Sequence, residues 1–347
     1  MRYLQLRSLE DFGEEIARLA NGNESMRDEP SAGISVERAS LADRPAALEL
    51  LYQQLPASER ARQVAGSCDS ANRGEFSLDE LWIARQHGHL IAVLLQLFQP
   101  GKVAFVWLPM TAERTADYIT ERATSALLKA AGDSANSAGM QYSQIILEVD
   151  QHEALSRLEH QGYRRLTELL FQERPLIRKL AAAELGDLIL EPFADEKSAR
   201  MAQLLQRTFQ GTRDCPEVSA LISGWDALDR HLGTGSTATR HWVFARQWRA
   251  GELGDVGVLL LLDHQSGGTW EIDYFGIVPE ARGRGLGKRL LQWGLWAAQA
   301  RGASRIQAVV DSRNHYACTL YNESGFYVQQ RRQALIRLRG STEKTPG

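Results

Sequence analysis

Three cysteines in 347 residues leave little scope for sulfur chemistry. Cys68, Cys215 and Cys318 are scattered without a CxxC pair, which excludes a disulfide framework and a cysteine zinc site and fits a reducing compartment. The eight histidines form no pair at metal-ligand spacing. His87 and His89 alternate at what reads as a solvated hairpin tip, so no metal is expected. Long apolar runs are also missing: the longest, Val256 to Leu262, is bounded by Asp255 and Asp263, far short of the ~20 residues that span a bilayer. Nor is there a surplus of positive charge, since 40 Lys and Arg stand against 43 Asp and Glu, which disfavours a dedicated nucleic-acid binder. The opening stretch, MRYLQLRSLEDFGEE, carries charge throughout and lacks the apolar core of a secretory leader. A cytoplasmic protein with neither membrane nor nucleic-acid partner is the expectation.

What is present is an ordinary globular composition, 44% hydrophobic and 24% charged, in a chain long enough for about two domains of roughly 100–200 residues. One order of elements occurs twice. In the first half, Ile34 to Arg38 reads as a strand, Arg44 to Gln54 as a helix and Gly66 to Gly74 as a loop. Strands follow at Leu81 to Gln86, His89 to Phe98 and Val103 to Pro109. A long helix at Ala116 to Ala131 then leads to a strand at Gln144 to Asp150, a short helix at His152 to His160 and the pair Gly162-Tyr163.

The second half repeats the order. Leu188 to Phe193 reads as a strand, and Glu196 to Arg207 and Glu217 to His231 as helices before a Gly/Ser/Thr loop. Strands fall at His241 to Gln247, Val256 to Asp263 and Trp270 to Pro279. A helix at Leu286 to Ala300, a strand at Arg305 to Asp311, a helix at His315 to Glu323, the pair Gly325-Phe326 and a last strand at Tyr327 to Leu338 complete it. Val106-Trp107-Leu108-Pro109 mirrors Gly276-Ile277-Val278-Pro279 in position. A strand–helix–strand order of this kind implies crossovers and parallel strands. The expected division is residues 1–178 and 183–340 with a disordered tail at 341–347, joined by a connector within Arg174 to Gly186; the first thirty residues read as an added helix and loop.

The segment richest in chemistry is Tyr274 to Leu291, YFGIVPEARGRGLGKRLL. A strand ends at Pro279 and a glycine-rich turn opens an amphipathic helix with Leu286, Leu290, Trp293, Gly294 and Ala297 on one face. Glycines let successive N–H groups point outward at a helix N-terminus, and Arg282, Arg284 and Lys288 add positive charge, which together suit a phosphate. Two phosphate motifs fail here. GxxxxGK[ST] would need a glycine at Arg282 and a hydroxyl at Arg289, and GxGxxG would need a glycine at Lys288. The pattern [QR]xxGx[GA] is met by Arg282, Gly285 and Gly287. Downstream stands NHYACTLYNESGF, in which Asn314, Cys318 and Tyr321 share one helix face.

With these two motifs in order, the C-terminal half resembles the GNAT N-acetyltransferase superfamily, in the tandem arrangement of the mycothiol-synthase type. The resemblance covers Leu188 to Leu338 well and the first half in outline. It implies an α/β (α+β) fold of two tandem GNAT domains, each a mixed, mostly antiparallel sheet flanked by helices, with splayed parallel central strands. It implies acetyl-CoA as co-substrate, with Gly276, Ile277, Val278, Arg282, Gly283, Arg284, Gly285, Leu286, Gly287, Lys288 and Asn314 toward it. Gly276 suits a bulge. It further implies direct transfer to a primary amine of a small molecule or peptide. It places Glu271 as the general base, with Asp273 on the same strand face as the alternative and Phe275 beyond them. Backbone N–H groups near Ile277 face the oxyanion, and Tyr321 protonates the leaving thiolate. Direct transfer gives Cys318 no role as a nucleophile.

The first half departs from the pattern at each of these places. Its loop after Pro109, MTAERTADYITERATSALL, has no glycine, and Leu158 and Gln151 stand at the tyrosine and asparagine positions. It reads as a supporting copy without a cofactor site. The competing function is a non-catalytic acyl-CoA sensor or scaffold, which keeps the phosphate loop and dispenses with base and acid. For the acceptor, the stretch Gly211 to Gly235 offers Asp214, Glu217 and Asp226 to a cationic amine.

Overall fold

A computed structural model of the chain describes residues 33–113, 115–233, 239–264 and 267–340. The added helix expected in the first thirty residues, part of the Gly/Ser/Thr loop, and the tail at 341–347 lie outside the described residues. The first half comprises β1 (Ile34–Arg38), α1 (Arg44–Leu51), α2 (Ala57–Asn72), β2 (Leu81–Gln86), β3 (His89–Gln99), β4 (Val103–Val106), β5 (Met110–Thr111), α3 (Asp117–Ser137), β6 (Tyr142–Glu148), α4 (His152–His160) and β7 (Arg164–Pro175). The second comprises β8 (Ile189–Pro192), α5 (Ser198–Phe209), α6 (Pro216–Ser219), α7 (Gly224–Leu232), β9 (Thr239–Arg249), β10 (Glu252–Asp263), β11 (Thr269–Ile277), α8 (Leu286–Ala300), β12 (Arg305–Asp311), α9 (His315–Glu323) and β13 (Tyr327–Leu338).

Several elements differ from expectation. β5 and the long strand β7 have no counterpart in the sequence reading, which ends the first half at Gly162-Tyr163. The Gly66 to Gly74 region is not a loop, because α2 runs through Gly66 to Asn72; it buries only Val64 and Ser67, so its polar composition hides it. The helix expected over Glu217 to His231 is two helices. Ser223 interrupts it with a capping box, its hydroxyl accepting from Asp226 N while the Asp226 carboxylate accepts from Ser223 N, and that restarts the chain as α7.

The two expected sheets are one. Strand order is β1-β2-β3-β4-β6-β13-β7-β12-β11-β10-β9-β8, with β5 paired to β3. Only β4 with β6 and β11 with β12 run parallel; every other pair is antiparallel. At the join the halves trade their last strands: β13 lies against β6, and β7 lies against β12. The trade is visible in the cores. Leu335 of β13 packs in the first half's cluster with Leu127, Ile145 and Tyr163. Leu166, Leu169 and Leu170 of β7 pack in the second half's cluster with Ile306 and Val310. Each half therefore completes the apolar core of the other.

This sheet also builds a gap. The β11–β12 ladder runs from Thr269/Arg305 to Ile272/Ala308 and stops, while β11 continues to Ile277 and β12 to Asp311. Helix α8 covers one face of the parting, and α5 and α7 cover the other. The first half repeats the geometry, since β4 and β6 pair only from Val103/Tyr142 to Phe105/Gln144.

Candidate active site

The glycine-rich turn sits beside the parted strands. Gly283 and Gly285 hold φ of 72° and 74°, a left-handed region where a side chain costs about 1–2 kcal/mol. Gly285 is also the N-cap of α8 and offers no side-chain cap, so the first N–H groups of the helix face outward. Arg284 and Lys288 are exposed on this turn; Lys288 lies 3.5 Å from Glu323, and Arg289 pairs with Asp187 at 3.1 Å.

Arg282 plays a different part from the one its charge suggests. Its guanidinium donates to the carbonyls of Ile277, Gly211 and Thr208 at 2.8–3.0 Å. The side chain fastens the turn to the end of β11 and to the α5–α6 loop, rather than supplying charge to the N–H groups. The side chains of Val278 and Leu286 are buried in the core, and Val278 N donates to Val256 O at 3.0 Å. Direction alternates along a strand, so the N–H groups of Ile277 and Phe275 turn the other way, toward the gap. Those two are the free-edge donors nearest the parting.

The bulge is not at Gly276. The register slips between Leu260 and Leu261, opposite Tyr274 and Ile272, which makes Asp273 the extra residue. The slip carries Phe275 with Ile277 onto the α8 face against Gly287, so Phe275 does not follow Glu271 and Asp273 on one face as alternation predicts. Gly276 is needed for closeness: a Cβ there would lie 2.9 Å from Thr208 Cβ.

Both β11 acids have histidine partners that their spacing in sequence conceals. Glu271 Oε2 lies 2.9 Å from His264 Nε2, and Asp273 Oδ2 lies 2.7 Å from His231 Nδ1, all four side chains being buried. Tyr274, also unremarked in the sequence, bonds Thr208 Oγ1 at 2.8 Å; burial pushes its hydroxyl up to about 12, keeping it neutral. Tyr321 is buried edge-on to Phe326, and burial, with Asp214 and Cys318 nearby, raises its hydroxyl well above the usual range. A neutral phenol is a proton donor. Asn314 caps α9, accepting from Ala317 N at 3.3 Å. The Cys318 thiol is raised by burial, as is that of Cys215, which disfavours either thiolate.

The three acceptor candidates separate. Asp226 belongs to the α7 capping box and pairs with Lys102, and Glu217 forms a two-pronged pair with Arg313. Asp214 turns inward: its Oδ1 accepts from Asp311 N at 2.8 Å while Cys215 N donates to Asp311 Oδ2 at 3.0 Å, a reciprocal clasp of the α5–α6 loop to the end of β12. Burial raises Asp214 against the hydrogen bond from Asp311 N. Thr167 of β7 also donates to Asp311, so the first half braces this wall. Burial pushes the Asp311 carboxyl up, but the bonds from Arg313, Thr167 and Cys215 outweigh it and hold it below its usual range. A lowered folded pKa stabilises above the unfolded pKa and is lost as pH falls. Asp311→Asn is therefore expected to cost about 2 kcal/mol at neutral pH. In thermal melts its deficit against wild type should narrow as pH drops through the carboxylate range; a constant deficit would remove Asp311's charge from the account.

The gap in the first half has no such loop. No residue described between Trp107 and Ala116 has positive φ, and α3 begins at Ala116 without a cap. Its parting holds a cavity of about 160 Å³ lined by Phe105, Trp107, Ile146, Glu148 and, from β13, Arg332. Among the described residues no cluster of three or more His, Cys, Asp or Glu is placed to hold a metal, and no helix is long and apolar enough to cross a membrane.

Parted parallel strands beside a glycine-capped helix leave a cleft at the carboxyl ends of β11 and β12. Residues 199–326 match the acetyltransferase (GNAT) family. A mycothiol acetyltransferase of Beutenbergia cavernae is 37% identical over 81 residues, 23% of this chain and 27% of that protein. The match thus spans about a quarter of that relative's length. Two solved structures share the fold over nearly the whole chain. A GCN5-related N-acetyltransferase from Sphaerobacter thermophilus has a TM-score of 0.57 and 17% identity, covering 88% of this chain and 96% of that one. A tandem GNAT protein from the clavulanic acid biosynthesis pathway has a TM-score of 0.52 and 14% identity, covering 89% and 99%. The architecture is that of a tandem GNAT protein.

Proposed function

We propose that the protein is an acetyl-CoA-dependent N-acetyltransferase that moves an acetyl group directly to a primary amine of a small molecule or peptide. One observation carries the reading: outward N–H groups at the Gly285 cap of α8 stand beside strands that part at Ile272/Ala308. The turn would take the pyrophosphate, with Arg284 and Lys288 around it. The pantetheine arm would enter between β11 and β12, with Asn314 at its far wall. We assign catalysis to residues 183–340 together with β7, and a supporting role to residues 1–178.

In this reading Glu271, held by His264, accepts a proton from the acceptor ammonium. The amine nitrogen bonds to the acetyl carbon, and the oxyanion faces the N–H groups of Ile277 and Phe275. The C–S bond then breaks, the CoA thiolate takes the Tyr321 proton, and the surplus proton on the acylated nitrogen passes to the Tyr321 oxygen, which restores the phenol and leaves the neutral amide. Release of free thiol is measured over a panel of amines that includes a mycothiol-type acceptor. Glu271→Gln is expected to lower kcat by about 100-fold. Tyr321→Phe should lower kcat by about 10-fold with acetyl-CoA KM changed less than about 2-fold. Acetyl-CoA binding without amine-dependent thiol release would instead mean a non-catalytic acyl-CoA binder.

A further inference from the structure

Around the bulge at Asp273, most polar side-chain atoms have partners. Asp273 holds His231 Nδ1, and Tyr274 holds Thr208. Two do not: His231 Nε2 and Trp242 Nε1 are buried and make no hydrogen bond among the described residues. His231 is 4% exposed and Trp242 3%. The rings meet edge-on, centroids 6.4 Å apart at 85°. Trp242 and Tyr274 both stand opposite Leu260, so they form one row across β9, β10 and β11, with the imidazole between them, 5.5 Å from Tyr274.

Leaving a buried polar atom unpaired costs about 1–3 kcal/mol, so such atoms in a native core call for a partner, whether a water or a ligand group. Their chemistry is complementary. Asp273, when ionised, only accepts, so Nδ1 carries a hydrogen, and in that tautomer Nε2 presents a lone pair. The indole N–H only donates. One donor beside one acceptor fits a hydroxyl, which accepts from the first and donates to the second. A carboxylate would lack a hydrogen for Nε2, and an ammonium would lack a lone pair for the indole.

We propose that His231 and Trp242 form a subsite for a hydroxyl group of the acceptor, so that the substrate class is an amino alcohol. The proposal rests on the acetyltransferase reading, with Glu271 taking the amine proton. Asp273 lies two residues beyond Glu271, about 7 Å along the strand. Asp273 acts here as a positioning residue that fixes the imidazole tautomer.

The experiment compares matched amines by thiol release with acetyl-CoA: ethanolamine against n-propylamine, and 2-amino-1,3-propanediol against isopropylamine. Wild type is expected to favour each hydroxylated member by about 100-fold in kcat/KM, because a site built for a hydroxyl rejects its absence. Trp242→Phe removes the indole donor with part of its ring, and His231→Leu removes the acceptor. Each should reduce the preference below about 5-fold, with acetyl-CoA affinity by calorimetry within about 2-fold of wild type. Equal use of both members by wild type, or an undiminished preference in a variant that still binds acetyl-CoA, would overturn the subsite alone. Failure of every amine to release thiol would overturn the acetyltransferase reading with it.

Discussion

Expressed separately, residues 1–178 and 183–347 should each be insoluble, and expressed together they should co-purify as a one-to-one complex. The cause is the traded strands. Without the second half, the first loses Leu335 from its core, β6 becomes an open edge and β7 loses both of its neighbours. Without β7, the second half loses Leu166, Leu169 and Leu170 and exposes the edge of β12. Full burial of each such side chain is worth about 1.5–3 kcal/mol, so the three β7 leucines alone are a large share of the 5–15 kcal/mol by which a typical fold survives. Open apolar edges also invite aggregation. A soluble, cooperatively melting 183–347 fragment would show that the trade is dispensable. The effect reaches the site, because Thr167 on β7 braces Asp311, which in turn clasps the loop bearing Asp214.

Gly285→Glu should raise the dissociation constant for acetyl-CoA by at least about 100-fold while the melting temperature moves only a few degrees. Two effects combine. The backbone at φ 74° disfavours any side chain by about 1–2 kcal/mol, and the new carboxylate sits where a pyrophosphate is expected. No atom lies within 4 Å of a Cβ at this position, so the fold accommodates the residue. Gly285→Ala separates the two terms: it keeps the strain without the charge and should cost about 10-fold. Binding unaffected by Gly285→Glu would move the cofactor away from this turn.

Much of the fold was legible because strong periodicity fixed its elements. The limits of β12, α9 and β13 in the structure coincide with those read from the sequence. The traded strands were not legible, since β13 has a usable antiparallel neighbour in either half and residue alternation does not choose between them. The turn was readable because positive-φ glycines leave a residue signature. Arg282 was misjudged because its charge suggested phosphate, whereas its reach made it a clamp on three carbonyls. His231 and His264 were missed for a related reason: their partners lie 42 and 7 residues away and meet them only through the sheet. The bulge, too, leaves no mark in residue type, because Asp273 is as acceptable in a regular strand as in a slipped one.

Titration calorimetry of the full chain with acetyl-CoA tests the central claim most directly. The account predicts saturable binding at one site per chain, abolished by Gly285→Glu and unaltered by Glu271→Gln. Two equivalent sites, or no saturable binding, would contradict it.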